Sequence, residues 1–378
     1  MKLSLAIIGA ALAAAVSASS TTPKPSQPEG SKSWAGTSNY FVQGLSASDQ
    51  KAYISALALA GVKVIRLWVS QQPGGGSCVK GSISRNSAPN FEEAIGKYNW
   101  KTLDFLDQTL VYLEEKGIKA LISPHDANLL NGPNGNDIYG KTYGPGYFYE
   151  QEKAAAAFDE RISAILNYKG AHSGRVWKDW TDVIMAFDLQ NEPFAAEPAK
   201  CRQPSAEKWV CGRASHMRSV LGADNPIRVA SGGFGGDISH GCTFVGTPCD
   251  DLDIISGILT RTHPPVHRYA GPQGSNPGQW SSQYRQWMSQ SNGKLVNLEE
   301  WGVDTSKYDP TSEFPANTKD MNAAGLPWLY WQLLPSKKCS TQDGDHFGFY
   351  IDSGVPYANE IKAANEADSP QNWTGIVH

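Results

Sequence analysis

Two short apolar runs in this chain each end in acid. Residues 183–189 (VIMAFDL) lead into Gln190-Asn191-Glu192-Pro193, and residues 295–298 (LVNL) lead into Glu299-Glu300-Trp301-Gly302. The first run, too short for a helix and closed by a proline, reads as a buried strand feeding a loop, and the second has the same shape. Carboxylates at the carboxyl ends of core strands sit where parallel α/β folds place their chemistry. Two of them on separate strands suit general acid/base or nucleophilic work by a carboxylate pair. Period-two alternation places Asp188, Gln190 and Glu192 on one side of the first strand. Glu192 could instead cap a helix or pair with a lysine, and Glu299 competes with Glu300 for the inward position. Arg66 stands in a third apolar run, residues 62–69 (VKVIRLWV). An unpaired buried charge is costly, so Arg66 requires a partner.

These side chains need a scaffold, and the chain alternates strand-like and helix-like segments from Trp34 to its end. The periodicity predicts a first strand at or just before residues 40–42, then a helix over 49–60 and a strand over 62–69. A helix over 100–116, closed by Gly117, precedes a strand over 118–123 that ends near His125. A helix over 150–168 leads to the strand at residue 183, and a helix over 206–221 to a strand over 227–231. The sixth strand is open between residues 252–256 and 266–269. A helix over 283–290 and strands over 295–300 and 326–334 complete the pattern. Strands and helices interleaved in this way predict an α/β fold, a single (β/α)8 barrel of the TIM type. Glu192 on strand four and Glu300 on strand seven would face each other across it. The Gly-rich run 232–236 lacks a Gly-Lys-Ser/Thr ending and fits no dinucleotide spacing, so it is no phosphate loop.

Composition narrows the partners. Charged residues make up 19% of 378, the net charge is −4, and no basic block occurs, which argues against nucleic acid. Residues 1–18 carry Lys2, an apolar run over 3–16 and the small-residue site Val16-Ser17-Ala18. That plan is a secretory signal, too short to span a membrane, so the protein is expected to be secreted and extracellular, with no membrane partner. Residues 19–32 are rich in Pro, Ser and Thr and read as a disordered leader, leaving 33–378 as the folded domain. Six cysteines in a secreted chain favour disulfides, although six allow fifteen connectivities. Short spacing pairs Cys201 with Cys211 and Cys242 with Cys249, leaving Cys78 with Cys339. Zinc is disfavoured because no Cys-x-x-Cys or His-Glu-x-x-His occurs. Asn372-Trp373-Thr374 is an acceptor pattern for N-glycosylation.

Asn191-Glu192-Pro193 after a buried strand, with Glu300-Trp301-Gly302 far downstream, resembles glycoside hydrolase family 5, and within it most nearly the fungal endo-β-mannanases. Residues 61–68 (GVKVIRLW), 175–193 (RVWKDWTDVIMAFDLQNEP), 295–302 (LVNLEEWG) and 331–333 (WQL) carry the likeness in order, within a stretch from about residue 40 to 350. The resemblance implies retaining hydrolysis of a β-linked polysaccharide or oligosaccharide, by a monomer needing no cofactor. Mannan and glucomannan are the implied substrates. The alternatives are a β-glucanase or an exo-acting β-mannosidase of the same mechanism, or an inactive carbohydrate-binding barrel. Glu192 matches the general acid/base and Glu300 the nucleophile, a pair whose pKa values must be pushed apart. Arg66 matches an arginine that keeps the nucleophile ionised, and Asn191 an asparagine contacting the sugar 2-hydroxyl. His267 and Tyr269 match a His-x-Tyr on strand six whose tyrosine bonds the nucleophile, and Trp331 the aromatic platform under the sugar. The intervening residues 257–265 (GILTRTHPP) depart from the family pattern, so His263 competes for the role of His267. His125, in Ser123-Pro124-His125-Asp126-Ala127-Asn128, resembles a histidine of the family's β-glucan enzymes, and is either a satisfied loop residue or a subsite ligand. Trp68, Trp280 and Trp328 read as packing.

Overall fold

The apolar runs pair side by side as parallel strands and close on themselves. The computed structural model describes residues 30–73, 78–79, 83–131, 137–233, 247–258, 279–336 and 346–377. Its barrel strands are β1 Ala35–Ser38, β2 Val64–Trp68, β3 Lys119–Ser123, β4 Ile184–Asp188, β5 Arg228–Ala230, β6 Ile254–Ile258, β7 Leu295–Trp301 and β8 Trp328–Tyr330. Each pairs with its neighbour in chain order, and β1 pairs with β8 to complete the ring. Eight helices accompany them among the described residues: α1 Ala47–Leu59, α2 Lys101–Glu114, α3 Ile138–Tyr143, α4 Glu152–Leu166, α5 Pro204–Leu221, α6 Gln279–Gln290, α7 Pro310–Ala323 and α8 Tyr357–Glu366. This is the expected (β/α)8 barrel. Strand six falls at the first of its two candidate positions. Residues 259–278, with His263, His267 and Tyr269, lie outside the described residues.

Strand alternation divides the core into two layers. Outward residues such as Ile65, Leu67, Phe187 and Val229 join the large cluster packed under the helices. Inward residues Val64, Leu121, Ala186, Ile254 and Leu329 form a second cluster with Trp34, Trp373, Ile376 and Val377. The carboxyl-terminal segment therefore plugs the amino-terminal mouth of the barrel. Trp373 meets Trp34 edge to face at 5.2 Å. The plug is pinned by Gln371, whose side chain accepts from Val296 N at 2.9 Å and donates to Lys294 O at 3.0 Å. Ser31 joins the same junction, donating from its amide to Gln371 O at 3.2 Å and accepting from Ser369 N at 2.7 Å. Ser31, within the expected leader, is thus bonded to the carboxyl-terminal segment.

The cysteine pairing corrects the sequence expectation. Cys211 bonds Cys249, not Cys201, with their Cα atoms 5.0 Å apart. Cys201 is itself disulfide-bonded, so neither short-range pair, Cys201–Cys211 or Cys242–Cys249, forms. The reason is local: Cys201 lies in the turn before α5 and Cys211 lies two turns inside it. At a rise of about 1.5 Å per residue the helix carries them roughly 10 Å apart, beyond the reach of a disulfide. Cys339, the expected partner of Cys78, lies outside the described residues.

Removing the plug should cost stability without touching the opposite end of the barrel. Trp373→Ala is expected to lower unfolding free energy by about 3–5 kcal/mol in chemical denaturation. The folded fraction should keep its activity; a variant as stable as the parent would show that the plug carries no packing energy.

Candidate active site

The carboxyl-terminal end of the barrel is polar where the opposite end is apolar. Arg66 is the inward residue of β2 one step above Val64, and it is fully buried. Its Nε donates to Asp188 Oδ2 at 3.0 Å and lies 2.5 Å from Glu299 Oε1. Its Nη1 donates to Glu300 Oε2 at 3.2 Å and its Nη2 to the Gly232 carbonyl at 3.2 Å. The guanidinium rests over the Trp68 ring, 4.5 Å from the centroid, so its face as well as its edge is used. Burial alone would pull the Arg66 pKa down, but Glu299, Asp188 and Glu300 outweigh it and raise it above the ordinary arginine value.

Glu299 and Glu300 are consecutive, yet both reach Arg66. Regular alternation forbids this, and β7 is irregular at that point. Its register slips against β8 between Leu298 and Trp301, and against β6 beside Glu300. A bulge of this kind lets two successive side chains face the same side. The choice between Glu299 and Glu300 as the inward acid is thus resolved as both.

The acid of β4 also departs from simple alternation. Asp188 is the last strand residue and turns inward to Arg66, with a further hydrogen bond from Ser123 Oγ. Gln190 turns away, to Tyr149 and His125. Pairing ends before Glu192, so the expected alignment of Asp188, Gln190 and Glu192 on one side does not form. Glu192 has φ +49° and Phe194 φ +69°, left-handed values that non-glycine residues adopt at a cost. The turn is held by Glu192 N donating to Gly232 O at 2.8 Å and Asn191 N donating to His125 O at 2.7 Å. Only glycine fits at Gly232: its φ is +87°, and a Cβ there would lie 1.7 Å from Gln190 O. The Glu192 carboxylate is buried and accepts from Asn128 Nδ2 at 2.7 Å. Asn191 Nδ2 donates to Asp126 Oδ1 at 2.8 Å.

His125 is buried, and both its ring nitrogens are engaged. Gln190 Nε2 donates to Nδ1 at 2.8 Å, so Nε2 carries the proton and donates it to Asp137 Oδ2 at 2.5 Å. Burial pushes Asp137 up, but His125 and the Gly140 amide prevail and hold its carboxyl below the usual range. His125 therefore supports the Asn191–Glu192 turn and has no nitrogen left for a ligand.

Trp331 is half-buried beyond β8 and stacks on Tyr40 at 5.7 Å with an interplanar angle of 16°. Trp68 meets it edge-on at 5.7 Å. Together these rings form an aromatic wall at the polar end. Trp280 and Trp328 are buried elsewhere, donating to Asn317 and Asn322, and are packing as expected.

A family model described as cellulase, glycosyl hydrolase family 5, matches residues 22–337. The chain belongs to glycoside hydrolase family 5. No curated protein matches its sequence. Among solved structures it is similar to an endo-1,4-β-mannanase from Rhizomucor miehei, 19% identical over 90% of this chain and 98% of that one, with a TM-score of 0.66. It is also similar to a hyperthermostable endo-1,4-β-D-mannanase from Thermotoga petrophila, 18% identical over 88% and 99%, with a TM-score of 0.65. A family 5 mannosidase from Rhizomucor miehei is 15% identical over 89% and 93%, with a TM-score of 0.62. At these identities the likeness is one of fold.

Of the residues singled out from the sequence, Arg66, Glu192, Glu300, Asn191 and Trp331 lie at the carboxyl-terminal end of the barrel, where Asn128, Asp137 and Tyr40, not singled out, contact Glu192, His125 and Trp331. Asn128 had a usable signal, since it follows the same strand end as His125.

The family 5 barrel should depend on the planar fork of Arg66. Arg66→Lys is expected to fold, by circular dichroism, yet lose activity, because an ammonium cannot reach three carboxylates and a carbonyl at once. Arg66→Met should be destabilised by roughly 3–5 kcal/mol at neutral pH. Without the cation, the buried carboxylates bind protons more tightly in the folded state than at their unfolded pKa of about 4. Their contribution is then complete below that value and lost as pH rises, so Arg66→Met should melt higher at pH 4 than at pH 7. An opposite slope in a pH series of melts would remove Arg66 from its central place.

Proposed function

We propose that this glycoside hydrolase is a secreted, monomeric, retaining endo-β-1,4-mannanase acting on mannan or glucomannan. The observation that carries the reading is the convergence of Glu192, from the end of β4, and of Arg66 with Glu300 on β7, at one end of the barrel. In the proposed reaction, protonated Glu192 delivers its proton to the departing glycosidic oxygen. Glu300, kept ionised by Arg66, attacks the anomeric carbon and forms a glycosyl ester. Water, deprotonated by Glu192, then releases the sugar with its original anomeric configuration. Asn191 is assigned to the sugar 2-hydroxyl, Trp331 with Tyr40 to the face of the ring being cleaved, and His125 to support of the turn. His267 and Tyr269 keep the roles implied by resemblance.

Two mannanase structures among those most similar favour mannan over glucan as substrate. The Cys211–Cys249 disulfide supports an oxidising, extracellular destination. A mature protein beginning after Ala18, read by amino-terminal sequencing, would bear that out. A panel of mannan, glucomannan, carboxymethylcellulose, laminarin and nitrophenyl glycosides separates the mannanase from a β-glucanase, an exo-acting β-mannosidase and an inactive binding barrel.

Stereochemistry tests the mechanism. The two carboxyl groups of a retaining pair should lie roughly 5–5.5 Å apart in a crystal structure. Glu192→Ala should still attack a substrate with a good leaving group, and azide should speed its slow deglycosylation and give a β-glycosyl azide. Glu300→Ala with azide should give the α product by direct displacement. Proton NMR distinguishes the two, and an inverted product from the wild-type enzyme would defeat the assignment of Glu300 as nucleophile.

A further inference from the structure

The cluster around Arg66 carries a charge problem that the carboxylate pair does not address. Asp188, Glu299 and Glu300 meet a single guanidinium, and all four side chains are at most 1% exposed. Three ionised acids against one cation would leave two uncompensated negative charges out of water, a state that buried groups avoid by binding a proton.

Geometry distinguishes the three acids. Asp188 accepts from Arg66 Nε and from Ser123 Oγ, and Glu300 accepts from Arg66 Nη1. The single hydrogen on Nε is aimed at Asp188, so the nearby Glu299 Oε1 gains charge proximity without a donor. Ser256 and Asp188 stand within reach of the Glu299 carboxyl, yet neither Glu299 oxygen accepts a well-aligned hydrogen bond among the described residues, and Asp188 Oδ1 accepts none either. One proton removes both defects, because a carboxylic acid donates where a carboxylate can only accept. We propose that Glu299 is a positioning residue held as the neutral acid, its proton shared with Asp188, so that the Arg66 charge is left to keep Glu300 ionised.

The groups facing Glu299 agree with this. Arg66 faces it from β2, Asp188 from β4 and Ser256 from β6, while Glu300 follows it on β7. Burial pushes Glu299 well above the ordinary carboxylate range, and Asp188 adds to the rise against the pull of Arg66 and Ser256. The cluster then carries one net negative charge before attack and none once Glu300 is esterified. The inference rests on Glu300 as nucleophile for its consequence, but not for its measurement.

Infrared difference spectroscopy of the full-length protein tests it without substrate. Glu192→Gln removes the proton assigned to the general acid. A carboxylic C=O band that persists in this variant at neutral pH, shifts in D2O and vanishes in the Glu192→Gln/Glu299→Gln double variant is the expected result. Its absence from the single variant overturns the proposal, whether or not the double variant folds. In the Glu299→Gln enzyme the acid limb of kcat/KM against pH should stay where it is in wild type, because no charge has been removed beside Glu300. A shift of that limb to lower pH means that Glu299 was ionised, and also overturns it. Glu299→Ala should lower kcat by roughly a hundredfold with little change in KM, through a misplaced Arg66. Thermal stability gives a further readout. A carboxyl whose folded pKa is raised supports the fold below its unfolded value and loses that support as pH rises through the folded one. Wild type should therefore lose stability with rising pH more steeply than Glu299→Gln, and equal slopes count against the proposal.

Discussion

A single guanidinium, withdrawn entirely from water, determines how the polar end of this barrel is built. Arg66 can be buried only if every direction in which it donates is met, and the partners come from β4, β7 and the loop after β5. The Gly232 carbonyl is the most economical of them. It accepts from Arg66 Nη2 and from the Glu192 amide, so one atom couples the cation beside Glu300 to the backbone that carries Glu192. A side chain at Gly232 would collide with Gln190, so this coupling depends on the absence of one. Two acids from opposite sides of the ring are thereby placed in relation to one another by a third strand that supplies neither.

Much of this was legible because it follows from period. Apolar runs of strand length, the helices between them and the lone arginine among aliphatic neighbours all predict a barrel with its charges at the strand ends. The failures have physical causes. Alternation predicts one inward acid from Glu299-Glu300, and the β7 bulge delivers two. Alternation also carries Glu192 past the end of β4, where a left-handed turn sets its direction instead. Bulges and positive-φ turns are settled by tertiary contacts, here Gly232 and His125, that no local pattern encodes. Helix α7 escaped notice because Pro315 lies inside a polar segment, and proline is read as a breaker. The disulfides were misread because spacing along a chain says nothing about a helix standing between two cysteines.

Substrate preference is less legible than reaction type, for a related reason. The groups around Arg66 sit on strands, whose positions persist in a mannanase only 19% identical at a TM-score of 0.66. Trp331 and Tyr40, stacked on one another at 5.7 Å, lie beyond the strands on connecting segments, and connections of this kind vary more among proteins of one fold than the strands they join. His125 illustrates the boundary. As a loop histidine it could have served a ligand, yet the chain from Tyr149 through Gln190 to Asp137 uses both its nitrogens to brace the turn. A residue's type suggests chemistry, but its hydrogen-bond partners decide whether that chemistry remains available.

The two ends of the barrel divide the work of folding and of function. Below Arg66, the interior is filled by Val64, Leu121, Ile254 and Leu329 and sealed by Trp34 and the carboxyl-terminal plug, all contributing apolar burial. At the level of Arg66 and above it, the same strands present Asp188, Glu299 and Glu300, and the chain enters left-handed backbone at Glu192 and Phe194. These features oppose folding, through desolvated charge and backbone strain. They can persist because the lower layers fix the strand ends rigidly enough that the turn and the charge cluster cannot relax toward water.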